Sequence, residues 1–275
     1  MIVEVLWGSV LLPLLVSVVM FAGGFFSGRE ALKALAVGVL PAAAFVSAWG
    51  ALSGFPSWQA MTGNDWLLVA TPVLALLWPM GFRYARLGWV WQLIAGLFIA
   101  VLLAPLEVSG RMLLILLMCY GVWVSFLERH KGARQRGERP LELLLSLIAG
   151  LSLLAWLMLV WGSASQAQIV GGFCTALGFL SLLVVLSLAD LKGDLLGWVG
   201  PWFGWLALFA YYYLEIPWWV LLLNGMVFVS GYYGSSAGYM KPWSWKALGL
   251  RIVLLAILVG GLGFLALQVK PKSFY

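Results

Sequence analysis

The chain has 275 residues, 64% of them apolar and 9% charged, with a mean hydropathy of +1.03. Ordinary globular chains carry about 25% charged residues, so a water-soluble fold is excluded and little chain remains for a folded domain outside a membrane. The formal charge of +6 is unevenly distributed along the sequence, which makes it a signal of membrane orientation and argues against a nucleic-acid partner.

Ten apolar runs follow one another, at about 3–26, 33–53, 66–82, 88–106, 111–127, 141–161, 169–189, 195–213, 217–235 and 247–268. Each is long enough to cross a hydrocarbon core of about 30 Å at about 1.5 Å rise per residue. The runs are continuous rather than alternating, which predicts helices and not a β-barrel. Met1-Ile2-Val3-Glu4 has no positive region and no small-residue cleavage site stands out after the first run, so that run reads as a retained span. Pro13, Pro41, Pro72, Pro79 and Pro201 fall inside spans, where each removes a backbone donor and can kink the helix. Small residues at Gly23-Gly24, Gly171-Gly172, Gly200 with Gly204, and Gly260-Gly261 would let helix backbones approach closely. Gly162-Ser163-Ala164-Ser165-Gln166-Ala167-Gln168 reads as a neutral connector that starts the seventh helix with a serine cap. Trp58, Trp66, Trp89, Trp161, Trp198, Trp218, Trp219, Trp243 and Trp245 mark run ends, where an indole can keep its N–H wet at the headgroup boundary.

Thirteen of the 16 Lys and Arg residues lie in every second gap, at Arg29–Lys33, Arg83–Arg86, Arg129–Arg139, Lys192 and Lys241–Arg251. Taken with the six acidic residues near them, these gaps carry +7, whereas the alternate gaps and tail carry −1 from three basic and four acidic residues. Positive loops stay cytoplasmic. The expected architecture is therefore an all-α, polytopic bundle of about ten spans, one domain over 1–275, with both termini outside. The basic segment 128–140 divides the chain into possible halves, 1–127 and 141–275. Five spans in each would give halves of opposite orientation, as in many transporters.

Buried ionisable groups would mark a functional site in a membrane, and this sequence offers few polar groups of any kind at depth. Gln92 and Asn224 are the deepest; each is read as an interhelical hydrogen-bonding group or as a substrate contact, with Tyr211, Tyr212, Tyr213, Tyr232 and Tyr233 as further hydroxyls near Asn224. Glu107 and Arg111 are four residues apart and could pair at one outer rim, as an anchor or as a gate. Arg129, Lys131, Arg134, Arg136 and Arg139 are candidate contacts to anionic lipid or to an acidic partner. The single histidine, His130, lies in that basic segment, and Cys119 and Cys174 lie in apolar runs as small core residues. No metal set, cofactor or catalytic residue is expected, and no P-loop, dinucleotide fingerprint or nucleophile elbow is present.

Gly162 to Gln168 leading into Gly171-Gly172, together with Tyr211-Tyr212-Tyr213-Leu214-Glu215-Ile216-Pro217, resembles segments of uncharacterised polytopic membrane proteins of bacteria. That resemblance implies a bacterial inner-membrane location and carries no catalytic residues. The expected function is non-catalytic: a structural or anchoring subunit of a larger membrane complex, with lipids and other membrane subunits as partners. The alternative is a permease for an apolar or lipid-like substrate.

Overall fold

The structure, a computed structural model, describes residues 3, 6–57, 65, 67–69, 71–73, 75, 76, 141–188, 194–236 and 245–269. A π-helical turn at Trp7–Leu11 leads into α1 (Leu12–Phe26), followed by α2 (Glu30–Ser53), α3 (Leu141–Val160), α4 (Ala164–Val185), α5 (Asp194–Leu214), α6 (Trp218–Ser236) and α7 (Trp245–Val269). Leu67, Leu68, Thr71 and Ala75 belong to a further helical stretch. No strand occurs among the described residues. Four helices, Trp7–Phe26, Leu35–Ser53, Ala164–Val185 and Ile252–Val269, are long and apolar enough to cross a membrane. The chain is all-α and membrane-associated.

The helix limits follow the apolar runs within a few residues, except in α4. Its start at Ala164 makes Ser165-Gln166-Ala167-Gln168 the first turn of the helix and not a connector. Ser163 does occupy the N-cap, but its side chain makes no capping hydrogen bond. Gln166 is instead buried in the bundle, at 5% exposure. The fourth and fifth runs and the basic segment 128–140 lie outside the described residues.

In lipid there is no hydrophobic force to drive helices together, so close packing and hydrogen bonds must do it. The glycines show where this happens. A Cβ placed on Gly8 would meet the Leu52 side chain at 2.7 Å, and one on Gly24 would meet Ala36 Cβ at 2.6 Å. The start of the first helical segment thus lies against the end of α2, and the two run antiparallel. A Cβ on Gly172 would come within 2.7 Å of Ala48 Cβ and 3.1 Å of Pro13 Cγ, so α1, α2 and α4 converge there. The α3–α4 hairpin bridges the bundle: α4 packs on α2 and α1, while α3 packs on α6 and α7.

These contacts fix relative directions. Gly8 and Ser9 meet the end of α2 and the first half of α4, so the starts of α1 and α4 and the ends of α2 and α3 share one face. On α7, a Cβ placed on Gly263 would lie 3.6 Å from the Trp156 ring of α3. Leu141 begins α3 at the opposite face, the one at which the turn carrying Arg29 joins α1 to α2.

The surface is that of a protein turned towards lipid. Large apolar side chains such as Leu15, Val19, Phe26, Ile257 and Phe264 stand exposed along α1 and α7. Only 11% of the Ile252–Val269 window is buried, against 56% of Ala164–Val185. Contiguous apolar exposure on this scale is incompatible with water. Lys33 fits the same picture, its Nζ lying 4.9 Å from the Phe25 ring centroid.

Candidate functional site

The interior is organised around an aromatic node. Phe173 of α4 stacks on Trp202 of α5, with centroids 3.9 Å apart and planes 15° from parallel. Phe45 of α2 meets Trp202 edge-on at 5.1 Å and packs beside Trp49. A buried indole N–H needs an acceptor, and Trp202 Nε1 donates to Thr71 Oγ1 at 2.8 Å while that hydroxyl donates to Leu67 O at 2.6 Å. Such interhelical bonds in a membrane contribute about 0.6 kcal/mol on average. This node joins α2, α4, α5 and the helical stretch holding Thr71.

A second polar contact ties α4 to the backbone before Pro13. Pro13 has no N–H to give to the carbonyls of the preceding turn, and the π-helical turn just before it alters the register of that ladder. One of those carbonyls, Ser9 O, accepts from Thr175 Oγ1 of α4 at 3.3 Å; the same hydroxyl also lies 3.0 Å from Gly171 O. Gly172, one residue beyond Gly171, is what allows α4 to come near enough.

Asn224 departs from this satisfied pattern at both of its polar atoms. Its residue is 0% exposed, and neither Nδ2 nor Oδ1 has a hydrogen-bond partner. It lies on the buried stripe of α6 formed with Val220, Leu221 and Val227, and α6 packs chiefly against α3 and less against α7 and α5. Moving an amide from water to an apolar phase without partners costs about 4–8 kcal/mol, and about 1–3 kcal/mol by substitution data in proteins. Ser17 and Ser181 avoid that cost by donating to Pro13 O at 2.7 Å and Leu177 O at 2.9 Å in their own helices.

Of the residues singled out in the sequence, Asn224 lies buried within α6. Gln92, Glu107, Arg111, Arg129, Lys131, Arg134, Arg136 and Arg139 lie outside the described residues, as does Cys119. Of the tyrosines expected near Asn224, Tyr211, Tyr212 and Tyr213 do not hydrogen-bond to it: Tyr211 and Tyr212 pack edge-on at 5.1 Å, and Tyr213 stacks on Phe209 at 4.9 Å, while the side chains of Tyr232 and Tyr233 lie outside the described residues. Cys174 is a free, half-buried thiol that accepts from Ser152 Oγ at 3.8 Å. Trp161 corrects the reading of a wet indole at a run end. It is 2% exposed and its Nε1 makes no hydrogen bond, because the reversal at Gly162, φ +93°, turns the chain straight back into α4 over it. Among the described residues, no group of three His, Cys, Asp or Glu could hold a metal ion.

Thr71, Trp202 and Thr175 were not singled out by sequence pattern. Pro13 did signal a carbonyl in need of a donor, but nothing in a linear pattern names Thr175 as that donor.

Compared with known proteins, the chain matches no family model, no curated protein and no solved structure.

Proposed function

We propose that the chain is a non-catalytic integral membrane subunit that anchors or scaffolds a larger assembly in a bacterial inner membrane. Its ten spans place both termini outside, and its partners are lipids and other membrane subunits. The observation that carries this reading is α7. It is the most exposed of the four long apolar helices, and Gly260 and Gly261 have open space where their side chains would be. Glycine weakens an isolated helix by about 1 kcal/mol relative to alanine; on a helix face in lipid its common use is close approach of another helix. The three runs between α2 and α3 are supported by Ser53 and Leu141 lying at opposite faces, which needs an odd number of crossings between them. The basic turn Arg29–Lys33 lies opposite the face of Ser53, as a cytoplasmic side requires.

Capture of the full chain from native membranes in mild detergent, followed by native mass spectrometry, tests the subunit reading. It calls for a second membrane protein at fixed stoichiometry; a monodisperse monomer that moves a solute by itself defeats it. Single-cysteine labelling at Ser57, Ser163 and Ser27 tests orientation, with the first two reactive to an impermeant reagent from outside and Ser27 only from within.

A permease of two five-span halves, moving an apolar or lipid-like substrate, is the second reading, favoured by the unpartnered amide of Asn224. Flux of a fluorescent lipid in reconstituted vesicles, lost in Asn224→Ala and Gln92→Ala, would select it.

A further inference from the structure

We infer that Asn224 holds a small uncharged guest inside the packed face of α6, a molecule or group that both donates and accepts hydrogen bonds. Such a guest is called for whether the chain anchors a complex or moves a solute.

Among the described residues, neither end of the amide has a hydrogen-bond partner, on a residue that is 0% exposed. Hydroxyls escape this because they reach the carbonyl one turn back, as those of Ser17, Thr71 and Ser181 do at 2.7, 2.6 and 2.9 Å. An amide presents two N–H donors on one atom and two lone pairs on another. The carbonyls of its own helix offer no donor for the oxygen, so α6 alone cannot satisfy it. The stripe around it, Val220, Leu221 and Val227, is apolar and buried and supplies no side-chain partner. In a bilayer no bulk water stands by to make up the difference.

The chemistry of the guest follows from the same surroundings. The buried polar residues among those described are Ser9, Ser17, Thr71, Ser146, Gln166, Ser181 and Asn224, none of them charged. An ion bound beside Asn224 would find no countercharge among them, and burying an unpaired charge is far costlier than burying a dipole. A neutral group with one O–H and its lone pairs meets the amide at both ends. Two sources supply that chemistry: a water molecule, or the hydroxyl of a bound lipid. Buried waters in proteins have this function, pairing polar groups that the fold leaves over.

The sequence makes the test direct, because it contains only two asparagines, Asn64 and Asn224. The full chain carrying Asn64→Ser and grown with ¹⁵N-asparagine therefore gives one side-chain amide signal by magic-angle-spinning NMR in phosphatidylcholine vesicles. With water as guest, that signal has a hydrogen-bonded shift, receives polarisation from water, and exchanges in D₂O about tenfold or more faster than the α6 backbone amides around it. With a lipid hydroxyl as guest, the shift is also that of a hydrogen-bonded amide, but water transfer is missing and the signal moves when co-purified lipid is stripped and replaced. A non-hydrogen-bonded shift, isolated from water, overturns the inference. So does a hydrogen-bonded shift that neither water nor lipid exchange alters, because the partner would then belong to the chain itself.

Discussion

Two adjacent glycines allow helix packing in the α1–α2–α4 junction to be measured against an internal control. In Gly172→Ala the new methyl would sit 2.7 Å from Ala48 Cβ and 3.1 Å from Pro13 Cγ. Neither neighbour can rotate away, since one is a Cβ fixed to its backbone and the other a ring carbon. Carbon atoms prefer about 3.5–4.0 Å, so a helix must shift by about 1 Å. Overpacking of this kind costs about 1–3 kcal/mol, offset by about 1 kcal/mol of helix propensity gained on replacing glycine. In Gly171→Ala the nearest atom is Ser9 Cβ at 4.0 Å, so only the propensity gain applies. The difference between the two variants cancels propensity and should be about 1–3 kcal/mol, with Gly172→Ala the less stable. Reversible unfolding in mixed detergent and SDS micelles measures it. Adding Ala48→Gly should relieve the closest contact, giving a double-mutant coupling of at least about 1 kcal/mol. Equal stabilities for the two alanine variants, or no coupling to Ala48→Gly, would refute the close approach of α4 to α1 and α2.

Thr71→Val keeps shape but leaves Trp202 Nε1 buried without an acceptor, and should cost about 1–3 kcal/mol in the same unfolding assay. Thr175→Val removes the donor to Ser9 O and should cost about 0.5–1.5 kcal/mol; pairing it with Pro13→Ala, which restores a backbone N–H, should reduce that loss. Glu215 sits at φ +55° after α5, a conformation that favours glycine, so Glu215→Gly should raise stability by up to about 1 kcal/mol. Gly162→Ala, at φ +93°, should lower it by about 1 kcal/mol or more by the same argument, seen as an earlier unfolding midpoint.

Much of the helical layout was legible in the residues, because a continuous apolar run in lipid has one structural outcome. The runs at 33–53, 141–161 and 217–235 correspond to α2, α3 and α6 within three residues. The start of α4 was misread because Ser165, Gln166 and Gln168 look like loop residues, and their burial against other helices depends on tertiary contacts that composition does not encode. Tryptophan was ambiguous for the same reason: Trp218 is exposed at a helix start, whereas Trp161 at another run end is buried beneath a reversal. Asn224 could be found because a lone amide among Val, Leu and Met residues stands out in any reading. Its lack of a partner could not, since that is a property of what surrounds it. The Thr71–Trp202 bond spans 131 residues, and neither side chain is unusual by itself.

The hydroxyl that serves Ser9 O belongs to a residue 166 positions later in the chain. At a synthesis rate of about 5–20 residues per second, α1 enters the bilayer about 8–33 s before α4 can follow. During that interval the Thr175 hydroxyl that donates to Ser9 O is not yet present. A nascent chain halted before Thr175 would therefore hold α1 against α2 without the helix whose Gly172 closes on both Ala48 and Pro13, so the three-helix junction is completed only late in synthesis.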